Sequence, residues 1–218
     1  HPLDGLAVFS DASVGDHLTV EAADRLSLSV TGPFAKGLSG EGDNLILRAV
    51  RALAQRCGLA EPGLGFVLDK RLPIAAGVGG GSSDAAAALK LANRALKLDM
   101  AEADLFEVAG AIGADGPMCV AQRPVWTSGR GDVLSPAPEL PLLHAVLLNT
   151  GVPSPTRMRS GSRRASASTG SGPSTHRNAA STPPRPRGAP PRPRSACARP
   201  REAGHALAEG LADLVVSL

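Results

Sequence analysis

Tyrosine is absent from the 218 residues, and the chain has one Trp and four Phe. A core without large rings must be assembled from Leu, Val, Ile and Ala, and it forgoes the area that rings bury. No apolar run approaches the roughly 20 residues that cross a bilayer, so no membrane partner is expected. Cysteine is scarce too: Cys57, Cys119 and Cys197 form an odd set without a Cys-x-x-Cys spacing. They suggest neither a disulfide framework nor a zinc site, and a reducing, cytoplasmic setting is the default. The first residues, His1-Pro2-Leu3-Asp4, lack the basic and apolar regions of a signal peptide.

Lysine is missing from residue 151 onward. That tail holds 11 Arg and 3 acidic residues, whereas residues 1–150 hold 12 Lys/Arg against 17 Asp/Glu. The formal charge of +3 therefore divides into −5 and +8. The basic balance belongs to the tail and is poor evidence that the rest binds nucleic acid. From Pro153 to Ala206 there is no Leu, Ile, Val, Phe, Trp or Tyr. Such a segment buries too little apolar area to offset the entropy of ordering it. Residues 157–205 are expected to be a disordered Arg/Pro/Ser-rich segment. Its arginines would meet nucleic-acid phosphates only non-specifically, with no aromatics between them to stack bases. Leu207, Leu211, Leu214 and Val215 predict a short helix within 206–218, marginal on its own.

Residues 1–150 read as alternating strands and helices. Leu26, Leu28 and Val30 alternate with polar residues, as a half-buried strand does. His17–Glu21 is its expected partner, with residues 22–25 as the turn. Asp43 and Asn44 are good N-cap residues for a helix through Leu45, Ile46, Ala49, Val50 and Leu53, which Gly58 stops. Leu64–Leu68 reads as a short strand. Helices are expected over about Asp84–Leu96 and Glu102–Ile112, and a strand over Leu142–Leu148. Met100, Met118 and Cys119 read as packing residues. His144 reads as a packed histidine, and Trp126 as a surface aromatic or a neighbour of a bound base.

The chemistry concentrates in Leu72-Pro73-Ile74-Ala75-Ala76-Gly77-Val78-Gly79-Gly80-Gly81-Ser82-Ser83-Asp84. A strand feeds this loop and the loop feeds a helix. Glycines let the backbone approach a ligand closely, and the helix N-terminus favours an anion. Ser82 and Ser83 add hydroxyl donors. A Walker A loop would need Lys where Ser82 stands, and a dinucleotide fingerprint starting at Gly77 would need Gly there. Both fail. The bland alternative is a structural glycine turn. Asp84 reads as an early-helix residue that suits the helix dipole.

Pro73-x-x-x-Gly77-x-Gly79-Gly80-Gly81-Ser82-Ser83-Asp84-Ala85-Ala86 resembles the ATP-phosphate loop of the GHMP kinase superfamily. Asp43-Asn44-Leu45 with Arg48-Ala49, Lys70-Arg71-Leu72-Pro73, Gly113-Ala114-Asp115-x-Pro117, Gly129-x-Gly131-Asp132 and Asn149-x-Gly151-Val152 resemble the branch that phosphorylates diphosphocytidyl methylerythritol. The resemblance covers about residues 1–156. It implies an α+β fold of the ribosomal-protein-S5-like type, a GHMP kinase N-terminal ATP-binding domain. It implies transfer of the ATP γ-phosphoryl group, with Mg2+, to the 2-hydroxyl of 4-diphosphocytidyl-2-C-methyl-D-erythritol in the non-mevalonate isoprenoid pathway. By the same resemblance Asp115 is the general base. Pro73, Gly77, Gly79, Gly80, Gly81, Ser82 and Ser83 hold the ATP phosphates, and His1 contacts the cytosine. An ordinary turn aspartate and a frayed terminal histidine are the bland readings of Asp115 and His1. The family's assisting lysine has no match in Lys36, Lys70, Lys90 or Lys97. We expect the chain to be truncated before His1, to leave the family reading frame near residue 156, and to lack the family's C-terminal ferredoxin-like domain. The alternatives are another GHMP small-molecule kinase or an inactive nucleotide-binding fragment.

Overall fold

A computed structural model describes residues 5–10, 13–38, 44–146, 148 and 212–217. Seven strands and four α-helices occur among these residues, with one short 3-10 turn at Ala35–Gly37. The strands are β1 (Gly5–Ala7), β2 (Gly15–Ala22), β3 (Ser27–Thr31), β4 (Leu64–Asp69), β5 (Val125–Ser128), β6 (Val133–Pro136) and β7 (Ala212–Ser217). The helices are α1 (Leu45–Arg56), α2 (Gly80–Ala95), α3 (Glu102–Ile112) and α4 (Gly116–Ala121). The fold class is α+β, as expected.

A four-stranded sheet runs in the order β3-β4-β2-β7. β4 is antiparallel to β2 and parallel to β3. β2 and β3 were expected to pair with each other, but β4 lies between them. Alternation fixes which face a strand buries and says nothing about its neighbour. β4 suits the central place because Leu64, Phe66 and Leu68 are each 1% exposed. A smaller sheet, β1-β5-β6, is antiparallel throughout, and the turn Gly129–Asp132 joins its last two strands.

The helices bring their apolar stripes onto one core. α1 starts where Asn44 accepts a hydrogen bond from the Ile46 amide at 2.9 Å, and Gly58 follows it in the left-handed region at φ 68°. Its buried stripe, Ile46, Ala49, Val50 and Leu53, packs with the row of alanines at 85–88 on α2. Small side chains let two helices approach closely, which offsets the shortage of rings. α3 occupies the expected residues. Cys119 joins the core, and Met100 and Met118 pack at its edge.

Three expectations change. α2 begins at Gly80, four residues before Asp84, because tertiary packing over the sheet outweighs the weak helix propensity of two glycines. Residues 142–146 and 148 form no strand: Leu142, Val146 and Leu148 are 83%, 85% and 88% exposed, and His144 is exposed rather than packed. An apolar run becomes a strand only with a ladder beside it, and no described strand pairs with this one. The helix expected within 206–218 is also overturned over residues 212–217, which form β7 against β2. A single short helix gains little alone, whereas the open side of β2 offers a full ladder to a segment containing two adjacent valines. His1, Asp43, Asn149, Gly151 and residues 157–205 lie outside the described residues.

Candidate active site

The loop leaves β4 at Lys70 and reaches α2 through two left-handed glycines, Gly77 and Gly79, at φ 73° and 78°. Gly79 is the N-cap of α2, and no side chain caps that helix. The first helical hydrogen bond runs from the Ser83 amide to the Gly79 carbonyl at 2.9 Å. Helix geometry therefore leaves the N–H groups of Gly79, Gly80, Gly81 and Ser82 without helical partners. Gly81 is exposed and Ser82 half-buried, so the start of the helix is open to a ligand. A Cβ on Gly79 would meet nothing within 4 Å; glycine there serves the backbone conformation. Such a cradle fits a polyphosphate by dipole, donors and access.

The two serines diverge. Ser82 lines a cleft with Leu45, Ala49, Gly113 and Gly116. Ser83 is 3% exposed, and its hydroxyl contacts the Cys119 sulfur at 3.5 Å. That thiol is pushed up to about 11, mainly by burial, with Asp115 and Asp84 adding and Ser83 opposing. The Ser83 side chain thus meets α4 and does not line the cleft that Ser82 lines.

Asp115 is half-buried at the N-cap of α4, and its side chain makes no capping hydrogen bond. The turn before it is tight: a Cβ on Gly113 would lie 3.0 Å from Asp115 Oδ1. Gly116 is dictated by contact, because a Cβ there would lie 2.4 Å from the Ala109 carbonyl oxygen of α3. The β5–β6 turn closes the other side, where a Cβ on Gly131 would be 3.5 Å from the Ala114 carbonyl oxygen. The cleft thus brings Ser82 at the head of α2 together with Gly113 and Gly116, which flank Asp115. Trp126, on β5, is 46% exposed and pairs with Leu6 across the ladder.

Beneath the loop lies a cluster that the sequence reading missed. Lys70 Nζ is ion-paired with Asp16 and, at 2.8 Å, with Asp84 Oδ2. Asp16 Oδ1 also accepts hydrogen bonds from the Arg71 and Leu72 amides at 2.7 and 2.9 Å. Asp84 is therefore an interior ion-pair partner; expected as an early-helix residue that suits the helix dipole, it lies past the first turn of α2. Burial pushes it up to about 7, against the pull of Lys70. A signal was present. Asp16 is in phase with buried Leu18 and Val20, and Asp84 with buried Ala87, Ala88 and Leu91. Acids on buried faces require a cation.

No group of three or more His, Cys, Asp or Glu side chains able to hold a metal occurs among the described residues. Mg2+ bound mainly through phosphate oxygens and water needs no such cage.

Residues 44–123 match the family described as GHMP kinases N terminal domain. The chain is 52% identical over 156 residues to a 4-diphosphocytidyl-2-C-methyl-D-erythritol kinase of Caulobacter sp. (strain K31), covering 72% of this chain and 53% of the relative. A kinase of the same name from Hyphomonas neptunium is 46% identical over 156 residues, covering 72% and 51%. The crystal structure of a 4-(cytidine 5'-diphospho)-2C-methyl-D-erythritol kinase is similar with 36% identity and a TM-score of 0.48, over 63% of this chain and 46% of that one. The chain spans about half the length of the curated relatives it matches. Residues 44–123 form a GHMP kinase N-terminal domain.

Proposed function

We propose that this chain takes part in ATP-dependent phosphorylation of the 2-hydroxyl of 4-diphosphocytidyl-2-C-methyl-D-erythritol, a cytoplasmic step of the non-mevalonate isoprenoid pathway. The observation that carries the reading is that Ser82, in the uncapped first turn of α2, lines one cleft with Gly113 and Gly116, the glycines on either side of Asp115. ATP bound with Mg2+ supplies the phosphoryl group. The amides of Gly79–Ser82 hold its phosphates, with Pro73 and Gly77 shaping the approach and the Ser82 hydroxyl adding a donor. Asp115 accepts the proton of the acceptor hydroxyl as that oxygen attacks. Its carboxylate is free of capping duty, so it is available for this work. Cys119 and Ser83 fix the distance between the two parts of the site from behind. His1 is assigned to the cytosine of the substrate by resemblance alone.

One observation favours a second reading, nucleotide binding without turnover. The lysine of the loop, Lys70, is committed to Asp16 and Asp84. It leaves the developing charge near Asp115 without that cation. Labelled ATP and the diphosphocytidyl acceptor distinguish the readings. Label transfer that falls by about 10²–10⁴ in Asp115→Asn supports the kinase reading. ATP binding with no transfer by the parent chain supports the second.

A further inference from the structure

The buried Asp16, Lys70 and Asp84 cluster has no part in the roles assigned above. Two carboxylates share one ammonium, so the fully ionised cluster carries a surplus negative charge. The three residues are 0%, 3% and 3% exposed, and water cannot screen that surplus. It falls on Asp84. Asp16 uses both oxygens, one on Lys70 and one on two backbone amides. Asp84 has Lys70 on Oδ2, while its Oδ1 is buried without a partner.

Among the described residues no cation other than Lys70 acts on Asp84. Burial is the main cause that lifts Asp84 to about 7; Lys70 opposes it and Asp16 adds to it. From α4 the facing titratable group is the Cys119 thiol, which burial keeps neutral. α1 and α3 present apolar residues to the core around α2, among them Ala49, Leu53, Val108 and Ala109. On β7, backbone register sets Val216 opposite Asp16.

The cluster also touches the loop. A Cβ on Gly80 would lie 3.4 Å from Lys70 Nζ and 3.8 Å from Asp16 Oδ2. Asp84 follows Ser82 by two residues in the first turns of α2. An anion seated on the amides at the head of α2 therefore adds negative charge close to a carboxyl that already resists ionisation. A like charge favours the neutral acid, and linkage makes the effect reciprocal.

We propose that this cluster couples the loop to protons: when a nucleotide polyphosphate seats on Gly79–Ser82, Asp84 takes up a proton from solvent. The inference rests on the nucleotide reading given above. The proton bonds to the unpartnered Oδ1, no other bond forms or breaks, and the cluster becomes neutral with Lys70 still on Asp16. Asp84 is a positioning residue. It keeps the ammonium under Gly80, and its charge state sets how well the loop tolerates an anion.

Calorimetric titration of ATP into the full chain, in buffers of differing ionisation heat, counts the protons exchanged. Comparing the parent with Asp84→Asn cancels the proton exchange of ATP itself. At about pH 7.5 the parent is expected to take up more protons than the variant, by a sizeable fraction of one. Parent affinity is expected to fall roughly 3- to 10-fold relative to the variant between about pH 6.5 and 8.5. Equal proton counts in parent and variant overturn the proposal. Failure of both chains to bind ATP overturns the nucleotide reading, and the proposal with it. If Asp84→Asn does not fold, NMR titration of the parent replaces it. The pH midpoint sensed by the amides of Ala85–Ala87 is expected to rise when ATP saturates the chain, and an unmoved midpoint overturns the proposal.

Discussion

The Ser83 hydroxyl meets the Cys119 thiol at 3.5 Å in the interior, one on the helix that follows the glycine loop and the other on the helix that Asp115 begins. This contact joins the helices on the two sides of the cleft from within the core. Adjacent serines thereby acquire opposite jobs. Ser83→Ala is expected to lower stability by about 0.5–1.5 kcal/mol, with ATP affinity changed less than about threefold. Ser82→Ala is expected to leave the melting temperature nearly unchanged and to weaken ATP binding severalfold. Thermal melts beside ATP titrations of the two variants check this, and reversed behaviour would show that the assignments are exchanged.

Gly116 carries a steric prediction. A methyl group there would sit 2.4 Å from a backbone oxygen of α3, and backbone cannot step aside as a side chain can. Gly116→Ala should cost about 1–3 kcal/mol and loosen the Asp115 turn. Urea denaturation measures the first effect. A variant as stable as the parent would mean that α3 and α4 are less closely packed than described.

Asp84 gives stability a distinct pH dependence. Its folded pKa is raised from 3.8 to about 7, so between those values the folded state holds more protons than the unfolded state. Its contribution is fully present below about pH 4, is lost as pH rises through about 7, and is level above that. The stability of Asp84→Asn relative to the parent should therefore grow from about pH 4 to pH 7, by on the order of 1–3 kcal/mol, and then plateau. Urea midpoints at a series of pH values test this. A flat difference, or one that shrinks with pH, contradicts the burial argument.

Burial of the Cys119 thiol sets its reactivity. With its pKa up at about 11, little thiolate exists near pH 8, and the sulfur is 5% exposed as a residue. Peptide mapping after alkylation should find Cys119 unmodified in the folded chain and modified in denaturant. Rapid labelling of the folded chain would indicate that α2 and α4 separate readily.

Local signals were well written in the sequence. Asn44 and Gly58 bracket α1, the apolar run at Leu64 marks β4, and the glycine loop between strand and helix is where its residues place it. Partnership was less legible, because periodicity names the buried face and not the neighbour. That is why β4 separates β2 from β3, why the described residues 142–146 and 148 form no strand, and why residues 212–217 pair with β2 instead of coiling. The charged cluster was hidden for a related reason. Asp16, Lys70 and Asp84 are far apart in the chain, and only the sheet order and the packing of α2 bring them together. Ser83 looked equivalent to Ser82 until the 3.6-residue turn of α2 rotated it inward.

In the proposed function the open amides at the head of α2 hold a nucleotide's phosphates beside Asp115. Backbone amide NMR during titration with Mg2+ and ATP tests it without requiring turnover. The largest shifts are predicted at Gly79–Ser82, with smaller ones at Gly113–Gly116 across the cleft. Saturable binding whose shifts cluster elsewhere, leaving Gly79–Ser82 unmoved, would contradict it.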